Sequence, residues 1–539
     1  MATPAAVSAR KKRTTTRTSP ARRTASRKAP VKKKSVRTKR DAYTTLTDEL
    51  REIALLESVT ATMGWDQEAL MPAKGAALRA DQLSLLSTMV HERKTSAKLS
   101  DMISRARALA SRRGDAKMKA NLREIKRDYD KSKQLPSALV GELTKCASLG
   151  MDAWKGARAQ SDFKQFLPWL TKTIELSREK AQCYGVVRGS ELYDALLDDY
   201  EPNMTAKRIA ASFGPLREQL VPLVSEVRRS KNKPDAKRVH VTTPIDKQRE
   251  FVHRVTSAIG FDLESGRIDE STHPFCEGLG PGDTRFTNRY SAKGWTEAVL
   301  TAMHEAGHGI YEQGLPKAKL FGQPLAEAIS LGIHESQSRM YENLVGRSRA
   351  FWEWALPEAR SIFGSALKGI RPEQVFRSVN TIKPWWIRVE SDEVTYNLHV
   401  MLRFDLERAM VRGELAPKDL AGEWNARFKR DFGLTVKEDR LGCLQDVHWS
   451  MGLVGYFPTY TLGNLYGAQF WEAMAKDIRG RNRQMSRGEF GPILDWLRKN
   501  IHTKGRQYSA EDLCKRVTGK PLSSDALVRH LKKKVSEVY

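Results

Sequence analysis

From residue 41 to the C-terminus, apolar positions recur every three to four residues, the period of a helix with one buried face. In DQLSLLSTMVHER (81–93), Leu83, Leu86, Met89 and Val90 fall on one side of such a helix. In GPILDWLRKNIH (491–502), Pro492 takes a first-turn position and Ile493, Leu494, Leu497 and Ile501 form the stripe behind it. Period-two alternation is scarce. RVHVTT (238–243), after the loop RRSKNKPDAK, and DTRFTNRY (283–290), after the turn-forming GLGPG, are the segments that predict strands. No internal repeat and no linker interrupts the chain after residue 41. The pattern predicts a mostly α fold with residues 41–539 as a single domain.

Charge changes the picture at the N-terminus. The net charge of +28 comes from 92 Lys and Arg against 64 Asp and Glu, and fifteen of the basic residues stand in 1–40 with no acid among them. That segment is rich in Ser, Thr, Pro and Ala, has almost nothing to bury, and is predicted to be a disordered basic tail. It has no apolar h-region, which argues against a secretory signal. Its Arg- and Ser-rich composition also resembles an organelle transit peptide, and its charge suits weak polyanion binding without sequence readout. Hydrophobic residues make up 40% of the chain, enough for a large core, yet no apolar run is long enough to span a membrane. The five cysteines are odd in number, widely spaced and without a CxxC pair. They argue against a disulfide framework or a cysteine zinc site and fit a reducing, cytoplasmic setting.

The chemistry concentrates in TAMHEAGHGIYEQG (301–314). His304 and His308 lie one turn apart on one helix face, where two imidazoles can converge on a tetrahedral zinc ion, with Glu305 beside them to accept a proton from water. Leu300, Met303 and Ile310 make the helix a buried one, whereas Gly307 and Gly309 weaken it, so packing must hold it. A catalytic zinc takes a third protein ligand. LAEAISLGIHESQSRMYENLVG (325–346) provides Glu327, Glu335 and Glu342. Glu335 is central, with Gly332 one turn earlier leaving a gap, while Glu327 and Glu342 are expected in solvent or ion pairs. His334 points about 100° away from its neighbour Glu335, so only one of the two can be a ligand.

Five further strings accompany the motif: HPF (273–275), DTRFT (283–287), HESQS (334–338), IRVESD (387–392) and GCLQDVHW (442–449). Together and in this order they make the chain similar to the carboxypeptidase Taq family of zinc metallocarboxypeptidases, from WDQEALMP (65–72) to the C-terminus. Ser391 stands where that family usually has alanine. The resemblance implies His304, His308 and Glu335 as zinc ligands and Glu305 as catalytic carboxylate. It also implies a large two-lobed helical fold with a deep central cleft, a few short strands at the cleft edge, and a homodimer. Another divalent ion such as Co2+ would suit the same ligands.

In such a peptidase the oxyanion needs donors besides the metal, and His448, Tyr456 and Tyr460 are the candidates by analogy with related helical zinc peptidases. An exopeptidase also needs a cation for the substrate's C-terminal carboxylate. A guanidinium suits it, with Arg388 first and Arg285 second. The competing expectation for Arg388 is an ion pair with Asp392, four residues on. Asp283, Arg285 and Thr287 share one side of an extended segment that could take a substrate backbone as an added strand, and His273 lies in the HPF string near it. The leading expectation is a zinc carboxypeptidase acting on peptides with a free C-terminal carboxylate. The alternatives are a zinc endopeptidase of similar fold and a polyanion-binding protein acting through its tail.

Overall fold

In the computed structural model, which describes residues 41–539 apart from residues 114, 187, 188 and 272, helix follows helix. The tail, with the expectations attached to it, lies outside the described residues. Four helices, α1 (Ala42–Ala69), α2 (Ala76–Thr95), α3 (Ala97–Arg113) and α4 (Ala116–Gln134), open the chain. Leu46 and Ile53 of α1, Leu99 and Ile103 of α3, and Leu122 and Ile125 of α4 close a small core of their own. Asp115 starts α4 by accepting from the N–H groups of Lys117 and Met118. The α2 helix forms as its period predicts, but Leu83, Leu86 and Val90 are only half-buried and Met89 is exposed.

A second and much larger core runs from Ala157 to Val538. It begins with α5 (Ser137–Gln160), α6 (Phe163–Tyr184), α7 (Leu192–Leu197), α8 (Ala206–Arg229) and α9 (Ile245–Ala258). Three short strands follow, β1 (Gly266–Glu270), β2 (Cys276–Gly280) and β3 (Asp283–Asn288), in the order β1-β3-β2. β1 is parallel to β3 and β2 antiparallel to it. The DTRFT strand is therefore central and has both edges occupied. This overturns the expectation that a substrate adds to it as a further strand, because no row of unpaired N–H and C=O groups is left on it. RVHVTT forms no strand. Val239 and Thr243 are buried and produce the alternation, but among the described residues the backbone bond that ties the segment to a distant stretch is Thr243 N–H to the Ala292 carbonyl at 2.8 Å, where a strand needs a ladder.

Beyond the sheet come α10 (Trp295–Gly314), α11 (Lys317–Leu320) and α12 (Leu331–Arg339), the last continuing into a π-helical turn, Met340–Gly346. Then follow α13 (Arg349–Phe363), α14 (Pro372–Val379), α15 (Thr395–Arg412), α16 (Leu420–Phe432) and α17 (Pro458–Asp477). The chain ends in α18 (Arg481–Met485), α19 (Gly491–Asn500), α20 (Ala510–Thr518) and α21 (Asp525–Val538). α19 has its proline in the first turn and buries Ile493, Leu494 and Leu497, as its pattern predicts. The fold class is as expected, mostly helical with three short strands, and Ala42–Tyr539 forms one compact unit. Among the described residues, no helix is long and apolar enough to cross a membrane. All five cysteines are free thiols.

Polar contacts help tie the two cores together. Arg506, 12% exposed, reaches Glu124 and Asp128 of α4 and Glu327 of the main body. Tyr43 and Asn121 meet at Gln323. At its far end α1 docks on the sheet, with the Ser58 hydroxyl donating to the Leu279 carbonyl and Trp65 packed on Phe275.

Candidate active site

The helix α10 is buried along most of its length, which fixes the direction of its polar residues. Leu300, Met303 and Ile310 are 4%, 0% and 1% exposed and anchor it in the core. The two glycines of the motif are there for close approach. A Cβ on Gly307 would lie 2.7 Å from Ser338 Cα, and one on Gly309 2.6 Å from the Phe261 ring. Through Gly307, α12 comes backbone-close to α10, and Glu335 reaches the histidines.

His304 Nε2 lies 3.7 Å and His308 Nε2 3.4 Å from Glu335 Oε2, and one ligand atom from each residue falls within 4.8 Å of the others. Donors bound at about 2.0 Å around a tetrahedral zinc stand roughly 3.3 Å apart, so this donor set fits such an ion. Gly332, expected to leave a gap beside the metal, instead makes room for Glu201. A Cβ there would lie 2.6 Å from the Glu201 carboxylate, which accepts from the Gly332 N–H. Glu327 pairs with Arg506 as expected. Glu342 is ion-paired too, with Arg339 and Arg347, but it also bonds His304 Nδ1 at 2.9 Å. Glu335, Arg339 and Glu342 stand at i, i+4 and i+7, on one face of the helix and its π turn. Burial opposes charge on Glu335, yet Arg339 and the two imidazoles hold it well below the usual carboxylate range.

Behind the other histidine is a longer chain. His308 Nδ1 meets His334 Nδ1, whose Nε2 meets Glu312 at 2.8 Å, and Glu312 pairs with Lys317. Glu312 can only accept, so His334 carries its proton on Nε2 and accepts at Nδ1 from His308. His308 is thereby left with its Nε2 lone pair turned toward Glu335. Glu305 is 7% exposed and, among the described residues, has no cation paired with it. Burial, together with Glu335 and Glu342 nearby, pushes its carboxyl up to about 7 against the opposing pull of His304.

A wall of aromatic and charged groups stands beside the ligands. Arg339, bonded to Glu335 at 2.7 Å, stacks on Tyr396 at 4.1 Å from the ring centre. The Tyr396 hydroxyl accepts from Arg388 Nη1 at 2.8 Å, and Arg388 also lies over the Tyr460 ring. Tyr460 meets His448 Nε2 at 3.1 Å, and its ring contacts that of Tyr456. Burial and the Arg388 guanidinium lower His448 to about 3, so its imidazole is neutral, and its Nδ1 is buried without a partner. Burial and the Glu335 charge raise Tyr456 to about 12. The segment joining His448 to Tyr456 is pinned by Glu407, which accepts from the Trp449 indole at 2.7 Å and the Gly455 N–H at 3.1 Å. On α17, Gly463 clears the stem of Glu335, since a Cβ there would lie 2.5 Å from Glu335 Cγ.

A profile of the carboxypeptidase Taq (M32) metallopeptidases matches residues 45–535. The chain belongs to this family. Thermostable carboxypeptidase 1 of Thermus thermophilus is 41% identical over 508 residues, covering 92% of this chain and 99% of that protein. Carboxypeptidase 1 of Bacillus subtilis is 36% identical, over 91% and 97% of the two chains. The crystal structure of the M32 carboxypeptidase from Deinococcus radiodurans superposes with a TM-score of 0.88 at 36% identity, over 92% of this chain and 99% of that one. By family, the protein is an enzyme of the metallocarboxypeptidase kind.

Not all of the residues expected at the site of this metallopeptidase gather there. Arg388, 5% exposed, does not pair with Asp392. That carboxylate caps α15, accepting from the N–H groups of Val394 and Thr395 at 2.9 Å, and Arg388 takes Asp446 at 3.0 Å instead. Arg285 is clasped at two points by Asp283 and lies over Trp65, on the sheet side. The Thr287 hydroxyl is committed to Ser271 and to the Phe275 N–H. His273 is exposed in the loop before β2. Sequence reasoning missed Tyr396, Asp446 and Arg339 and underrated Glu342. Only Arg339 and Glu342 carried a signal, their helical spacing from Glu335.

Proposed function

We propose that this protein is a zinc-dependent carboxypeptidase that hydrolyses the C-terminal bond of peptides and releases single amino acids. The observation that carries the reading is Arg388. Its Nε and Nη1 are held by Asp446 and Tyr396, while Nη2 has no acceptor among the described residues. Arg388 is thus a fixed guanidinium with one donor edge open, joined to the metal ligands through Tyr396 and Arg339. Arg285 suits the role less, because Asp283 already fills its fork.

His304, His308 and Glu335 are the residues to hold the zinc, which when bound supplies a Lewis acid that polarises the scissile carbonyl and makes water acidic near neutral pH. Glu305 takes a proton from the attacking water and returns it to the leaving amine. Tyr456, Tyr460 and neutral His448 line the side where negative charge grows on the carbonyl oxygen, and a hydroxyl aimed there stabilises it. Arg388 binds the terminal carboxylate and sets the last peptide bond at the reacting groups.

The test compares free-acid with C-terminally amidated peptides, with and without a chelator, and identifies the products. A buried charged partner is commonly worth ~2–5 kcal/mol, so Arg388→Ala should lower kcat/KM on free acids by about thirtyfold or more. Amides should be much less affected, and Arg388→Lys should recover part of the loss. Equal loss on both substrates, or internal cleavage by the wild type, would defeat the carboxypeptidase reading of Arg388.

A further inference from the structure

A cavity of about 1050 Å³ lies away from the groups just described, and none of the candidate catalytic or ligand residues lines it. One wall is α3 and α4. The other is the end of α6 with Tyr184, then α7, then the start of α8 at Thr205. Its size is that of a pocket for an organic ligand and far exceeds the need of one inorganic anion.

The charge lining it is unbalanced. Among the described residues, six Lys and Arg side chains face three aspartates, and the aspartates are all engaged. Asp198 is held by Arg127 and Lys131, and Asp130 by Lys126. Asp194 accepts from the N–H groups of Glu191 and Ala206. The surplus therefore stands on Arg107, Lys119 and Arg123. Among the described residues Arg107 and Lys119 have no acidic partner, and Arg123 shares Glu124 with Arg506. Lys119 and Arg123 are one helical turn apart on α4, roughly 6 Å, and Arg107 comes from α3. On the facing wall Thr205 caps the 24-residue α8, whose first turn adds positive potential.

We propose that this cavity is a second binding site, for a small organic anion that carries two or more phosphate groups. A terminal phosphate offers three non-bridging oxygens and up to two charges and an internal one two oxygens and one charge, so two in succession can satisfy Lys119 and Arg123 one turn apart, with Arg107 closing from α3. A guanidinium fork binds phosphate at two points, and the ammonium supplies a point charge. A chain of side-chain carboxylates spreads the same charge over a longer backbone and matches this compact triad less well.

The probe is inorganic tripolyphosphate, titrated calorimetrically into the full-length protein at low salt, with adenosine triphosphate as a second arm. Arg107→Ser combined with Lys119→Ser should weaken tripolyphosphate binding by about tenfold or more and leave peptide hydrolysis unchanged. Both positions are exposed and outside the core, so folding is not at stake. Tighter binding of adenosine triphosphate than of tripolyphosphate would assign the ligand to the nucleotide class, and equal binding to the phosphate chain alone. The proposal is overturned if the double variant binds tripolyphosphate as the wild type does, since the affinity then belongs to the basic tail. It is equally overturned if neither probe binds, or if hexaglutamate binds as tightly as tripolyphosphate.

Discussion

Each imidazole of the candidate metal cluster is steered from behind, and the partners differ. His304 is held by a carboxylate, Glu342, itself braced by Arg339 and Arg347. His308 is held by another imidazole, His334, which leans on Glu312. With both Nδ1 atoms engaged, the two Nε2 atoms are the ones turned to Glu335. Outer partners of this kind typically change metal affinity about ten- to a hundredfold. Glu342→Ala should therefore weaken metal binding by about that factor in chelator competition, whereas Glu335→Ala should lose the ion outright. A Glu342→Ala protein with wild-type affinity would show that Arg339 and packing suffice to orient His304. His304, Glu305 and His308 were legible in the sequence because helical spacing alone puts the histidines on one face, whereas the choice of Glu335 among three glutamates was completed by the family resemblance. Tyr396 and Asp446 were not, because they reach the site only through the approach of α15 and the 442–449 segment, which no local spacing reports.

At the scale of elements, α12 is the critical piece, pressed between α10 and α17 at glycines. Gly307 lets it touch α10, and Gly463 and Gly467 let α17 lie on it, with a Cβ on Gly467 only 3.2 Å from the Ser336 carbonyl. The weak helix propensity of the motif is thus the condition for the ligand helix to come near. Gly463→Ala should destabilise the fold by roughly 1–3 kcal/mol, the usual cost of overpacking, and shift Glu335 so that metal affinity falls with it. Gly422 in α16 is the control. No atom lies within 4 Å of a Cβ there, so Gly422→Ala should add roughly 0.5–1 kcal/mol in denaturant unfolding and leave metal affinity alone. If Gly463→Ala unfolds like the wild type, the contact yields more easily than its geometry implies. The helices were legible because their apolar stripe is long. Two of the three strands were not, since GRIDE and CEGLG are five residues each with glycines, and only pairing with DTRFT makes them strands.

The whole molecule hides carboxyl groups that ordinary pH should ionise. Glu407 is fully buried, and desolvation raises it to about 7 against the hydrogen bonds from Tyr193 and Trp449. Its native state keeps a proton that the unfolded chain releases near pH 4.5, so stability from this group is full below that pH and drains away up to about pH 7. Glu407→Gln removes the drain. Whatever its constant cost, the melting temperature of the variant relative to wild type should climb between about pH 5 and about pH 8. A flat difference would mean that Glu407 titrates normally in the fold. The division into two cores has a different consequence, in time rather than energy. Leu99, Ile103, Leu122 and Ile125 belong to one core and the residues around α10, α12 and α17 to the other. Their amides should accordingly trade hydrogen for deuterium on separate clocks, α3 and α4 opening together and early while the helices that hold the metal ligands wait for the molecule as a whole.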